Sequence, residues 1–168
     1  MFVSISLNGI IATPDNKEDF LSHVNWLEFV KATHECGCLI WGRKTYELVK
    51  KWDKSYLEPL ADITKVILSS DPELKLEKGF LLANKPQAAL NKLEELGFSK
   101  TILTGGATNN SAFAIAGLIN EIVVDVEGVI IGQGFPLFSL ADFKLALELQ
   151  SSQKISDNIL RLHYKVLA

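Results

Sequence analysis

Between residues 38 and 116 short apolar runs alternate with helical stretches, and few folds accept that alternation. Residues 38–41, 65–68, 80–83 and 100–103 read as strands, and residues 45–51, 86–96 and 109–116 as helices. Pro86 sits in the first turn of the second helix and Gly97 just past its end, while Gly117 closes the third. Strands separated by helices pair in parallel, so this part of the chain predicts a parallel sheet with helices on both faces.

The flanks follow other rules. Residues 2–7 alternate apolar side chains with serine, Asn8-Gly9 turns the chain, and Ile10-Ile11-Ala12 continues as a short strand. Residues 17–35 carry Phe20, Leu21, Val24, Leu27 and Val30 at helical spacing, with Asp15 or Asn16 as the cap. Residues 52–63 are a polar connection without an assignment. Residues 121–131 form a long β-type run. Phe143, Leu145, Leu147 and Leu149 then fall on one strand face, expected to serve the core, and residues 159–166 alternate around Arg161, His163 and Lys165. With the polar residues 151–157 between them, these last two runs predict an antiparallel hairpin.

The 168 residues, 48% apolar with nine Phe and three Trp, suit a single α/β domain spanning 1–168 that buries roughly 70% of its unfolded surface. No apolar run reaches the roughly 18 residues of a membrane span, and no basic region opens the chain, so a cytoplasmic protein is expected. A net charge of -3 and a pI near 5.6 argue against a nucleic-acid partner. Cys36 and Cys38, one residue apart in a strand-like run, point to opposite faces and read as packing residues. His23, His34 and His163 show no ligand spacing, and no metal is expected.

In an open α/β sheet the ligand lies beyond the carboxyl ends of the strands. Three such ends are polar here: Gly42-Arg43-Lys44-Thr45, Leu68-Ser69-Ser70 and Thr104-Gly105-Gly106-Ala107-Thr108. They offer two cations, several hydroxyls and, at the glycine pair, backbone N–H groups of a helix start that a ligand can approach closely. Cations at a helix start oppose its dipole, and a bound anion accounts for Arg43 and Lys44. The complement suits a diphosphate plus one further phosphate.

Ser6-Leu7-Asn8-Gly9-Ile10-Ile11-Ala12, Gly42-Arg43-Lys44-Thr45-Tyr46-Glu47 and Thr104-Gly105-Gly106, in this order, resemble the dihydrofolate reductase-like superfamily. Asn120-Glu121-Ile122 and Gly132-Gln133-Gly134-Phe135-Pro136-Leu137-Phe138 bring the chain nearest to the reductase domain of the riboflavin-biosynthesis deaminase-reductase. That resemblance implies an NADPH-dependent reductase of a small pyrimidine or pterin, of the 5-amino-6-(5-phosphoribosylamino)uracil reductase type. A dihydrofolate reductase variant and a non-catalytic nucleotide-binding relative are the alternatives.

By the same resemblance Arg43 with Ser69 and Ser70 hold the 2'-phosphate, with Leu68 and Gly42 beside them, and Lys44 and Thr45 meet the diphosphate. Thr104, Gly105, Gly106, Ala107 and Thr108 line its path, with a cis peptide between the glycines. Ser6, Asn8 and Gly9 fall on the substrate side, Asn8 standing where relatives carry aspartate. Asp125 and Glu127 are the candidate acids for proton supply, although strand carboxylates are more often exposed. The folate reading would instead want an acid on the helix before residue 38, where Asn25, Trp26 and Glu28 lie. Relatives of this type commonly pair, and a two-fold homodimer through the C-terminal strands is expected.

Overall fold

A computed structural model describes residues 1–167. Its contacts divide the chain into two compact units, Val30–Gly105 and a unit made of Met1–Phe29 with Gly106–Ala168.

The Val30–Gly105 unit is the parallel sheet that the alternation demands. Its strands β3 (Cys38–Gly42), β4 (Thr64–Leu68), β5 (Phe80–Ala83) and β6 (Ile102–Leu103) stand in the order β5-β4-β3-β6, every pair parallel. All five residues of β3 are buried, as a central strand covered on both faces requires. Helix α2 (Arg43–Val49) follows β3 directly, and α4 (Pro86–Glu95) buries Ala89 and Leu93, one turn apart. The unassigned residues after 52 contain a short helix, α3 (Lys54–Leu57), and a 3-10 turn at Glu58–Leu60. Buried Lys65 donates to the carbonyls of Leu60 and Ile63, closing that turn, and burial pushes its ammonium below the ordinary lysine range.

The other unit is built on β1 (Phe2–Ser6), β7 (Glu121–Glu127), β9 (Ala146–Lys154) and β10 (Ile159–Leu167), in the order β1-β7-β10-β9. β1 and β7 are parallel, whereas β10 lies antiparallel to both β7 and β9. A separate two-stranded ribbon joins β2 (Ile10–Ala12) to β8 (Phe135–Pro136), and α5 (Ala107–Ile115) completes the unit. Helix α1 (His23–Cys36) is divided between the units at Phe29.

Four expectations need correction. Helix α1 starts at His23 rather than near residue 17, because residues 13–17 close a loop of their own. The N–H of Lys17 donates to Thr13 Oγ1 at 3.1 Å, the N–H of Thr13 donates to the Lys17 carbonyl at 2.9 Å, and Asn16 takes a left-handed φ of 61°. Cys36 is not in a strand: it ends α1, Gly37 turns the chain at a φ of 73°, and Cys38 begins β3. Both cysteines are free, and burial pushes both thiols up, away from reactive thiolate.

The hairpin forms, but 151–154 belong to β9, and its leucines do not enter the core. Every residue of β9 is exposed, Leu147 at 42% and Leu149 at 53%, since an edge strand has a neighbour on one side only. Finally, no peptide among the described residues is cis, so the Gly105–Gly106 bond is trans. Gly106 reaches its capping position with an extended backbone instead, at φ -68° and ψ 162°.

Candidate functional site

In the Val30–Gly105 unit parallel register brings the predicted cofactor residues to one end of the sheet. Gly42 is in register with Leu68, Leu68 with Ala83, and Ile40 with Leu103, so Arg43, Ser69 and Thr104 leave three strands on the same side. Arg43 and Lys44 open α2 as exposed cations and Thr45 is half-buried. Arg43 reaches Glu47 one turn on at 3.4 Å, with both side chains about half exposed, and a pair of that kind is held weakly. The guanidinium is therefore free to turn to an anion. Buried Ser69 accepts the Asp71 N–H at Oγ, a local turn that leaves its hydroxyl proton to donate, and Ser70 beside it is exposed.

In the other unit Gly106, Ala107 and Thr108 open α5. No side chain caps this helix, so its first-turn N–H groups lack the partner that a capping Ser, Thr, Asp or Asn would give. Gly106 is exposed, and a Cβ there would meet nothing within 4 Å. The glycine thus leaves an open approach to a helix start, a fit for phosphate oxygens.

The predicted substrate residues Ser6, Asn8 and Gly9 form the turn between β1 and β2. Ser6 is fully buried: its hydroxyl donates to Asn8 Oδ1 at 2.8 Å and accepts the Ile10 N–H at 3.0 Å. Asn8 Nδ2 donates to the Ile131 carbonyl at 2.8 Å, and the Ile131 N–H returns to Asn8 Oδ1 at 3.1 Å. Both ends of the amide are thus spent on backbone, which an aspartate at this position could not reproduce. Gly9 holds the turn at a φ of 83°, in the left-handed region that suits glycine.

The candidate acids are not exposed strand residues. Asp125 is 0% and Glu127 5% accessible, in a polar layer beneath the first half of α1. Register sets Ser4 and Arg161 on either side of Asp125, and Ser6 beside Glu127. Arg161 holds Asp125 with two 2.7 Å bonds, from Nε to Oδ1 and from Nη2 to Oδ2, and reaches Glu28 Oε2 from Nη1 at 2.8 Å. Its guanidinium also lies 5.2 Å over the Phe2 ring. Bonding to Asp125 first, and to Glu28 after it, raises the Arg161 pKa.

Among the described residues Glu127 has no cationic partner in this layer. Its Oε1 accepts the Ser22 N–H at 2.8 Å and Asn25 Nδ2 at 2.5 Å, and Asn25 Oδ1 is fixed in turn by the Ser4 hydroxyl at 2.8 Å. The two acids therefore differ in kind, one locked in an ion pair and the other held by neutral donors at a helix start. Sequence reading missed this division. Its one trace was the polar stripe Ser22, Asn25 and Glu28, at steps of three from the residue before α1 into its first turns. Among the described residues no group of three or more His, Cys, Asp or Glu could hold a metal ion, and no helix is long and apolar enough to cross a membrane.

Comparison with known proteins agrees with this architecture. Residues 1–161 match the family model of the RibD C-terminal domain. The uncharacterized protein YwjB of Bacillus subtilis is 25% identical over 174 residues, covering 98% of this chain and 95% of that protein. A putative riboflavin biosynthesis protein from Shewanella sp. PV-4 superposes with a TM-score of 0.78 at 24% identity, covering 99% of this chain and 97% of that one. RibD of Acinetobacter baumannii gives a TM-score of 0.78 at 21% identity, and the 99% of this chain that aligns corresponds to 56% of that longer protein. The chain belongs to the RibD C-terminal domain family and has the fold of its reductase domains.

Proposed function

We propose that this member of the RibD C-terminal domain family is an NADPH-dependent reductase acting on a ribosylamino-pyrimidine of the 5-amino-6-(5-phosphoribosylamino)uracil type. The observation that carries the reading is the register of three parallel strands, which sets Arg43, Ser69 and Thr104 at one end of one sheet. A guanidinium with serine hydroxyls is the donor set for a ribose phosphate, and the uncapped start of α5 suits a diphosphate. Lys44 and Thr45 extend the first group, and Ala107 and Thr108 the second.

NADPH, when bound, supplies the hydride, which a ribosylamino substrate accepts at an electrophilic sugar carbon while the adjoining heteroatom takes a proton. The chain's part is to hold both reactants, exclude water and manage that proton. For the last role we assign Glu127 over Asp125. Asp125 has both oxygens committed to Arg161, whereas both bonds to Glu127 converge on Oε1. The polar layer also supports a pyrimidine over a folate. Glu28, the helix carboxylate that a dihydrofolate reading would use, is tied to Arg161, which ranks folate below the pyrimidine.

The test is cofactor preference. A charge-assisted bond to phosphate contributes about 1.5 to 3 kcal/mol, so Arg43→Ala should weaken NADPH roughly tenfold to a hundredfold and spare NADH. Titration of nicotinamide fluorescence reads both constants, and equal losses for the two cofactors would remove Arg43 from the 2'-phosphate site.

A further inference from the structure

We propose that Asn110 is a positioning residue that ties the Asn8-Gly9 turn to the start of α5 through the backbone of Leu137. That the tie serves catalysis rests on the function proposed above; that the tie exists does not.

Leu137 is bonded on both sides. Its N–H donates to the Gly9 carbonyl at 3.1 Å, and its own carbonyl accepts Asn110 Nδ2 at 2.8 Å. Residues 134–139 form a strap with each end fastened. At one end β8 lies on β2, with Ile10 in register with Pro136 and Ala12 with Phe135. The approach is so close that a Cβ on Gly134 would press into the Ala12 carbonyl and within 2.5 Å of Ile10 Cγ2. At the other end the Ser139 N–H donates to the Ala107 carbonyl at 3.3 Å, and the Ser111 hydroxyl donates to the Ser139 carbonyl at 3.1 Å. The strap thus links the turn expected on the substrate side to the helix start expected to take the diphosphate.

Asn110 is a poor choice for packing alone. It is 0% exposed in the interior of α5, among Ala107, Phe113 and Ala114, where an aliphatic side chain would serve the helix better. Its Oδ1 is buried with no hydrogen-bond partner. What its amide alone provides at this place is the donor to Leu137. A shift of the first turns of α5 is then carried by two successive hydrogen bonds to the carbonyl of Gly9, and the Ile10 N–H beyond it is held by Ser6 Oγ.

Amide hydrogen exchange on the full chain tests this. In Asn110→Ala the Leu137, Gly9 and Ile10 amides should exchange roughly three- to tenfold faster, the change expected from losing one hydrogen bond, while the amides of α4 keep their protection. Uniform acceleration would reveal general destabilisation and overturn the positioning role, as would unchanged protection of Leu137. Should Asn110→Ala not fold, Ser111→Ala removes the neighbouring tie and is judged by the same amides. With NADPH added to the wild type, the same three amides should slow, and that response should be lost in the variant while NADPH still binds. Binding without any response at Gly9 or Ile10 refutes the coupling. Absence of NADPH binding in the wild type refutes the cofactor reading and leaves the exchange of the free variants to decide the tie.

Discussion

Replacing Arg161 by methionine separates an ion pair that holds the fold from one that performs chemistry. Asp125 has no solvent exposure and receives both of its strong bonds from this guanidinium, so Arg161→Met strands a buried carboxylate. Breaking a buried pair in this way costs about 3 to 5 kcal/mol, which for a chain of this length lowers the melting midpoint by roughly 6 to 20 °C. Asp125→Asn should cost less, since Arg161, 20% exposed, keeps Glu28. The double variant Asp125→Asn, Arg161→Met should recover much of the loss, because the fully buried charge at position 125 is gone and only Glu28, 25% exposed, is parted from its cation. Urea unfolding followed by circular dichroism at neutral pH should rank the three variants in that order against wild type. A loss below about 1 kcal/mol for Arg161→Met, the level of a surface pair, would refute the assignment of a buried pair that holds the fold.

Gly106 at the start of α5 and Gly134 against β2 should respond in opposite ways. Gly106→Ala should melt like the wild type, because its Cβ enters open space at a φ any residue adopts, yet lose NADPH binding by fluorescence titration; normal binding would reduce the glycine pair to a turn. Gly134→Ala should instead cost about 1 to 3 kcal/mol in urea unfolding, because backbone stands where its Cβ must go, and a neutral outcome would mean that β2 and β8 are not in close register. We also expect a two-fold homodimer through β9, whose nine residues lie exposed at a sheet edge with Leu147 and Leu149 uncovered. Light scattering at micromolar concentration should give twice the chain mass and the double variant Leu147→Lys, Leu149→Lys the single mass, whereas a wild-type monomer rules the dimer out.

What the sequence made legible follows from how local each cause is. Pro86, Gly97 and the spacing of Ala89 and Leu93 specify α4 with no help from elsewhere, and the buried run of β3 announces itself as a central strand. That Arg43, Ser69 and Thr104 reach one end of the sheet was readable because each follows a parallel strand, which needs only the order of elements. The start of α1 was not, because the competition at residues 13–17 is decided by one threonine side chain that meets both the N–H and the carbonyl of Lys17. Polar alternation in β7 was misleading for a deeper reason. Asp125 and Glu127 occupy positions that in a half-exposed strand face water, and whether water or α1 covers them depends on partners 36 and 105 residues away. The same dependence hid the strap, since Asn110 reads as an ordinary helical asparagine until Leu137 is placed beside it. Burial turns these polar groups from solvated side chains into fixed ones, and fixed donors and acceptors are what the proposed reductase would use where two reactants must meet in one geometry.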